Sequence, residues 1–92
     1  MATAFEKRLI LRSKEKLSMA AAAHEQGNLK EALANGMLAY GYLKAYGAHG
    51  SESAGEIIRD VCRDLGYGEE KTKRMFDIAL SYAKKRIKKY ET

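Results

Sequence analysis

The side chains best suited to chemistry in this chain are two histidines, one cysteine and two clusters of basic residues. His24 and His49 belong to no recognisable nucleophile–base pattern. Cys62 has no second cysteine, so neither an intrachain disulfide nor a cysteine zinc site is expected. The sequence also lacks glycine-rich phosphate-binding patterns and Glu-x-x-His metal-binding pairs. We therefore expect no catalytic activity, no metal and no cofactor, and a small helical enzyme or ligand carrier without a recognisable motif is the alternative.

The same residues have structural interpretations. His24 falls at the end of the apolar face of the first predicted helix, so it either faces a ligand or caps the last carbonyls of that helix. We favour capping. Cys62 lies beside the apolar stripe of the third predicted helix, where a small core side chain is favoured over a redox-active thiol.

Positive charge gathers near the two ends of the sequence. Five basic residues and one acid lie between positions 7 and 16, and five basic residues with no acid lie between positions 84 and 89. Residues 17–83 carry seven basic and nine acidic side chains, and the formal net charge of the whole chain is +5. Such clusters suit the binding of phosphate groups, but they also suit a solvated helix end whose lysines face the negative end of the helix dipole.

The hydrophobic pattern predicts four helices to position these residues. Proline is absent, and alanine, leucine, lysine and glutamate are plentiful, which favours helix. Apolar side chains recur three or four positions apart in each segment. The predicted helices cover about residues 3–26, 29–46, 53–65 and 69–90. Ser53-x-x-Glu56 has the spacing of a capping box for the third helix, with Ser51 as the alternative cap.

Short loops between helices favour antiparallel neighbours. We therefore predict one all-α domain over residues 1–92, folded as an antiparallel up-down four-helix bundle with short loops. The second helix is the least polar, so we expect other helices to bury it on several sides. Gly36 and Gly41 lower its helix propensity, which suggests that another backbone approaches there.

Residues 20–39 read AAAAHEQGNLKEALANGMLA. This segment resembles the helical hairpin of tetratricopeptide repeats and of MIT (microtubule-interacting and trafficking) domains. Ala20 and Ala23 occupy the small positions of the first helix, Gly27 begins the turn, and Ala32 and Ala39 occupy the second helix. The large aromatics and closing proline of a tetratricopeptide unit are missing, and no 34-residue repeat recurs. The resemblance implies a tight hairpin and a peptide- or protein-binding module.

An up-down bundle would bring both basic clusters to one end of the molecule. The start of the first helix, the end of the fourth and the junction between the second and third helices would meet there. The first turn of the third helix would add unpaired backbone N–H groups. The resulting anion-binding candidates are Arg8, Arg12, Tyr46, His49, Ser51, Lys84, Lys85, Lys88 and Lys89. They would hold a phosphate group of a nucleic acid, a nucleotide or a phosphorylated partner, unless the charges are only solvated.

The leading functional hypothesis is a non-catalytic protein-interaction module that self-associates as a homodimer. Its expected interaction surface lies on the second helix and comprises Leu29, Leu33, Met37 and Tyr40. The expected partner is thus a second copy or another protein, and nucleic acid bound at the basic end is the alternative. No apolar run approaches the roughly 20 residues of a membrane span, and no secretory signal pattern is found, so we expect a cytoplasmic protein.

Overall fold

The four predicted helices are all present in the computed structural model, which describes residues 3–91. They are α1 (Ala4–Glu25), α2 (Leu29–Ala45), α3 (Ser51–Asp64) and α4 (Glu69–Glu91). The predicted boundaries differ from these by two residues at most. The all-α prediction is confirmed, whereas the single domain over residues 1–92 stays a prediction.

Helix α2 is the centre of the four-helix bundle. It packs closely against α1, α3 and α4, whereas α3 meets α1 and α4 through far fewer residues. The prediction that this least polar helix is buried on several sides is therefore confirmed. Its Ala32, Ala39 and Leu43 are completely buried, and these are the side chains that hold the neighbouring helices together.

Small side chains let the helices approach α2 closely. Ala20 of α1 is fully buried, as are the facing alanines of α2. A Cβ atom at Gly41 would lie 3.0 Å from the Cβ of Ala83 and closer still to the carbonyl oxygen of Ala79. The backbone of α4 thus packs directly against α2 at Gly41, as expected from the sequence. At Gly36 an added Cβ would meet side chains and no backbone, the nearest being that of Ile58 at an ordinary 3.4 Å.

The turn before α3 differs from its predicted form. Helix α3 begins at Ser51, and its N-cap is Gly50, whose carbonyl oxygen accepts the N–H of Ala54 over 3.0 Å. Gly50 has a φ of 106°, a left-handed conformation that turns the chain two residues earlier than expected. Ser51 is consequently the first residue of the helix and Ser53 lies inside it, so both the predicted capping box and the alternative cap at Ser51 are wrong.

His24 links two helix ends. Its Nε2 lies 2.8 Å from Oδ2 of Asp64, at the end of α3. The last carbonyls of α1 are satisfied instead by backbone N–H groups, including that of Asn28, which donates to the oxygen of Ala23 over 2.9 Å. The prediction that His24 caps its own helix is therefore wrong. Cys62 is completely buried, which confirms it as a core side chain.

Membrane insertion by a helix requires a long apolar stretch. Among the helices of residues 3–91, none is both long enough and apolar enough to cross a bilayer.

Candidate anion-binding site

The first turn of α1 lies against the last turn of α4. The ring centroids of Phe5 and Tyr90 are 6.1 Å apart, and the rings are tilted by 44°. At the end of α2, the hydroxyl of Tyr46 donates to Oε1 of Glu91 over 3.3 Å. The start of α1, the end of α2 and the end of α4 thus lie at the same end of the molecule.

Three arginines line a depression of about 220 Å³ between these helices. Arg8 and Arg12 come from α1, one turn apart, and Arg86 comes from α4. No carboxylate lines the depression, and within residues 3–91 no carboxylate is ion-paired with these arginines. We call this depression the arginine pocket. Its remaining lining is apolar or aromatic: Phe5, Leu9, Tyr42 and Tyr90.

Arg86 is held between two tyrosines of its own helix. Its Nη1 donates to the hydroxyl of Tyr82 over 3.2 Å. Its guanidinium carbon lies 5.7 Å from the ring centroid of Tyr82 and 5.3 Å from that of Tyr90. Both distances suit cation–π attraction. The guanidinium is therefore oriented by contacts on both sides before any ligand arrives.

Tyr42 supplies the buried part of the pocket wall and is only 8% exposed. Burial raises the pKa of its phenol, and the positive charge of Arg86 acts in the opposite direction. The hydroxyl is therefore neutral at physiological pH, and it brings a hydrogen-bond donor to the lining without adding negative charge.

The arginine pocket has the chemistry of an oxyanion site. Each guanidinium presents several N–H groups in a rigid fork that matches two oxygens of a phosphate or carboxylate. The three arginines are exposed, so a ligand can reach all of them from solvent.

Three of the predicted candidates line a different depression nearby. Tyr46, Lys84 and Lys88 lie there with the carboxylates of Glu6 and Glu91 in a space of about 510 Å³. Burial, followed by the charge of Glu91 and the hydrogen bond to it, raises the pKa of Tyr46 to about 12. This depression is of mixed charge, so it is less suited to an anion than the arginine pocket.

Ser51 lies apart from the arginines. It lines a concavity between α2, α3 and α4 that also contains Tyr40 and Phe76. Tyr40 and Tyr42 are two positions apart in a helix, so their side chains leave α2 about 200° apart. Ser51 was predicted to lie beside the basic residues. It lies at the same end of the bundle as they do, but on a different side of α2.

The remaining candidates are exposed. His49 lies in the loop between α2 and α3, and Lys85 and Lys89 lie on the outer surface of α4. The ammonium nitrogen of Lys89 is 5.6 Å from the ring centroid of Tyr90, which places it near the pocket rim. Among the predicted anion ligands, Arg8 and Arg12 therefore line the pocket itself, and Lys89 contacts a residue of its lining.

The four residues of the predicted interaction surface do not share one free face. Leu29 and Leu33 pack against the buried cluster of Ala23, Ala32 and Val61.

The other two residues of that predicted surface have different neighbours on α4. Tyr40 meets Phe76 edge to face, with ring centroids 4.9 Å apart. Met37 lines an apolar groove of about 260 Å³ between α2 and α4. We call it the α2–α4 groove, and its other lining residues are Ala34, Leu38, Ile78, Ala79 and Tyr82.

Sequence reasoning missed four residues at or beside the arginine pocket: Tyr42, Tyr82, Arg86 and Tyr90. A signal for the last three was present, because Tyr82, Arg86 and Tyr90 recur at four-residue intervals and therefore share one face of a helix. No comparable signal marked Tyr42, whose position depends on how α4 crosses α2.

A metal site would need several ligands in one place. Within residues 3–91, no three side chains of histidine, cysteine, aspartate or glutamate come together in a way that could hold a metal ion.

Comparison with known proteins adds no relative. No protein-family model, no curated protein and no solved structure matches this chain. Residues 20–39 do form a helical hairpin between α1 and α2, but hairpins of this kind occur in many unrelated folds. The function of the chain is therefore inferred from its geometry.

Proposed function

We propose that this protein is a small non-catalytic binding module that takes a phosphate group of its ligand in the arginine pocket. The observation that supports the proposal is the presence of three guanidinium groups around one depression whose lining has no carboxylate. Arginine is protonated at every physiological pH, so the three like charges persist there. A bound phosphate would neutralise them and accept their hydrogen bonds.

Direct titration with inorganic tripolyphosphate tests this proposal, since the probe carries phosphate groups and nothing else. We expect calorimetry at low salt to show saturable binding. Replacing Arg8, Arg12 or Arg86 with glutamine should each weaken it by about tenfold, because a hydrogen bond to a charged group contributes about 1.5 kcal/mol or more.

Arg74→Gln is the matched control. Arg74 is exposed on the same helix as Arg86, but it lies about 18 Å away along the axis. The control removes the same charge and should leave the affinity unchanged. Equal losses in all four variants would show that only net charge matters, and the proposed pocket would be wrong.

The second candidate function is self-association through the α2–α4 groove, which replaces the surface expected from the sequence. Ile78 and Tyr82 are 47% and 45% exposed although they line an apolar groove. Two copies of this face, paired around a two-fold axis, would bury these exposed apolar side chains against each other.

Analytical ultracentrifugation of the wild type and of a Met37→Ser/Ile78→Ser variant tests self-association. This candidate is an alternative to ligand binding on α4, and it predicts a dimer of the wild type at micromolar concentrations and a monomeric variant of unchanged helicity. A wild type that is monomeric at several hundred micromolar would rule this candidate out.

We further propose that the protein works in the cytoplasm. The support is Cys62, which is a free thiol in the core and is typical of proteins kept in a reducing compartment. Localisation of a tagged protein by fluorescence microscopy tests this proposal.

A further inference from the structure

We propose that the ligand is single-stranded nucleic acid, and that unpaired bases stack on the tyrosines of α4 while the arginine pocket holds the backbone. This inference rests on the proposed phosphate-binding function and names its ligand. The surface that carries it is the set Tyr82, Arg86 and Tyr90, which we call the tyrosine ladder.

The tyrosine ladder is a regular row of side chains on one helix face. Its members are four residues apart, so each lies one turn beyond the last. Tyr82 and Tyr90 are 45% and 54% exposed, so much of each side chain is open to solvent. From Tyr82 to Tyr90 the row is about 12 Å long, which is about the length of three stacked nucleotides.

The contacts within the ladder fix its rings and leave surface free. Arg86 lies between the two rings and donates to the hydroxyl of Tyr82. The ring of Tyr90 also contacts the ring of Phe5 in α1. Oriented rings of this kind stack on bases with little loss of side-chain entropy, and arginine adds its own planar stacking surface.

Two further features lengthen the surface on which a strand could bind. Arg8 and Arg12 face its Tyr90 end across the arginine pocket, where they would contact the phosphates of a strand whose bases lie on α4. At the other end, Ile78 continues the row by one more turn and is 47% exposed. A base beyond Tyr82 would therefore meet an apolar surface. Duplex nucleic acid offers phosphates but no free base faces, so the ladder distinguishes single strands from duplexes.

Fluorescence anisotropy with a labelled eight-nucleotide oligothymidylate tests the inference. Stacking is insensitive to the sugar, so a DNA probe suffices. We expect saturable binding at low salt. Tyr82→Ala and Tyr90→Ala should each weaken it by at least about fivefold. Tyr82→Phe and Tyr90→Phe retain the ring and should bind within about twofold of the wild type.

A matched control is available in the loop that precedes α4, at the opposite end of that helix from Tyr90. Tyr67 pairs with Lys71, whose ammonium nitrogen is 3.9 Å from its ring centroid, but it lies outside the ladder. Tyr67→Ala should therefore leave oligothymidylate binding unchanged. Circular dichroism and thermal unfolding of each variant show whether the bundle remains folded, and the phenylalanine variants keep the test decisive if an alanine variant unfolds.

Failure of this inference is distinguishable from failure of the proposed function. If tripolyphosphate binds at Arg8, Arg12 and Arg86 but oligothymidylate does not bind, the ligand assignment is wrong and the phosphate site stands. The inference is also wrong if Tyr82→Ala and Tyr90→Ala leave the affinity for oligothymidylate unchanged, or if a DNA duplex binds as tightly as the single strand. If neither probe binds, both proposals fail.

Discussion

The ring of Phe5 in the first turn of α1 lies 6.1 Å from the ring of Tyr90 at the end of α4. This contact brings together two basic segments that are far apart in the sequence. Arg8 and Arg12 follow Phe5 along one face of α1, and Arg86 precedes Tyr90 by one turn of α4. The three guanidinium groups surround one depression because α1 and α4 both pack against α2.

Gly41→Ala should destabilise the fold. Its Cβ would lie 3.0 Å from the Cβ of Ala83 and closer to the carbonyl oxygen of Ala79, so α4 would have to move away from α2. We expect a net loss of about 1–3 kcal/mol in the free energy of unfolding, measured by urea denaturation.

Gly36→Ala is the matched control in the same helix, because its Cβ would make only ordinary contacts with side chains, those of Ile58, Ile57 and Ala20. The gain in helix propensity should make it neutral or stabilising by up to about 1 kcal/mol. Equal effects of the two substitutions would contradict the close packing of α4 on Gly41.

The same two glycines show what the sequence could predict. The helices and the burial of α2 follow from the spacing and density of apolar residues, which a single sequence displays directly. Gly36 and Gly41 carried the same signal of low helix propensity, yet only Gly41 meets a backbone. The crossing point of α4 on α2 depends on packing between distant segments, and no local pattern records it.

The candidate site could also be predicted only in part from the sequence. Short loops indicate which helix ends lie together, so Arg8 and Arg12 were correctly expected near the end of α4. Connectivity does not show on which side of α2 each residue lies. The sequence therefore could not show that Ser51 lies apart from the arginines.

The ionisation of Tyr46 should weaken the fold at high pH. Burial and the carboxylate of Glu91 raise the pKa of Tyr46 to about 12, whereas an unfolded tyrosine ionises near pH 10. The folded state thus holds this proton more tightly. Its stabilising effect is complete below about pH 10 and is lost as the pH rises toward 12.

Urea unfolding between pH 8.5 and 12 measures this effect, with Tyr46→Phe as the variant that has no phenolic proton. The wild type should lose more stability than the variant across that range. Parallel pH profiles for the two proteins would contradict the prediction.

The contact between His24 and Asp64 should contribute modestly to stability. The two side chains are 27% and 46% exposed and 2.8 Å apart, and they join the ends of α1 and α3. We expect a double-mutant cycle with alanine at both positions to give a coupling energy below about 1 kcal/mol. The pair Arg63–Asp60 is the comparison, since its arginine is 76% exposed, and its coupling should be smaller. A larger coupling there would contradict this ranking.

Cys62 should be unreactive in the folded protein. Its side chain is completely buried, and burial raises the pKa of its thiol, so little reactive thiolate forms near neutral pH. A thiol reagent such as dithionitrobenzoate should modify it slowly in buffer and rapidly in denaturant. Similar rates under both conditions would show that α3 opens readily, contrary to the packed core.

The most direct test of the arginine pocket is an NMR titration that follows the arginine Nε–H signals as tripolyphosphate is added. The pocket predicts that the signals of Arg8, Arg12 and Arg86 shift together with one dissociation constant, while those of Arg59, Arg63 and Arg74 stay in place. Equal shifts of all these signals, or no shifts at all, would contradict the proposal that this protein binds a phosphate group there.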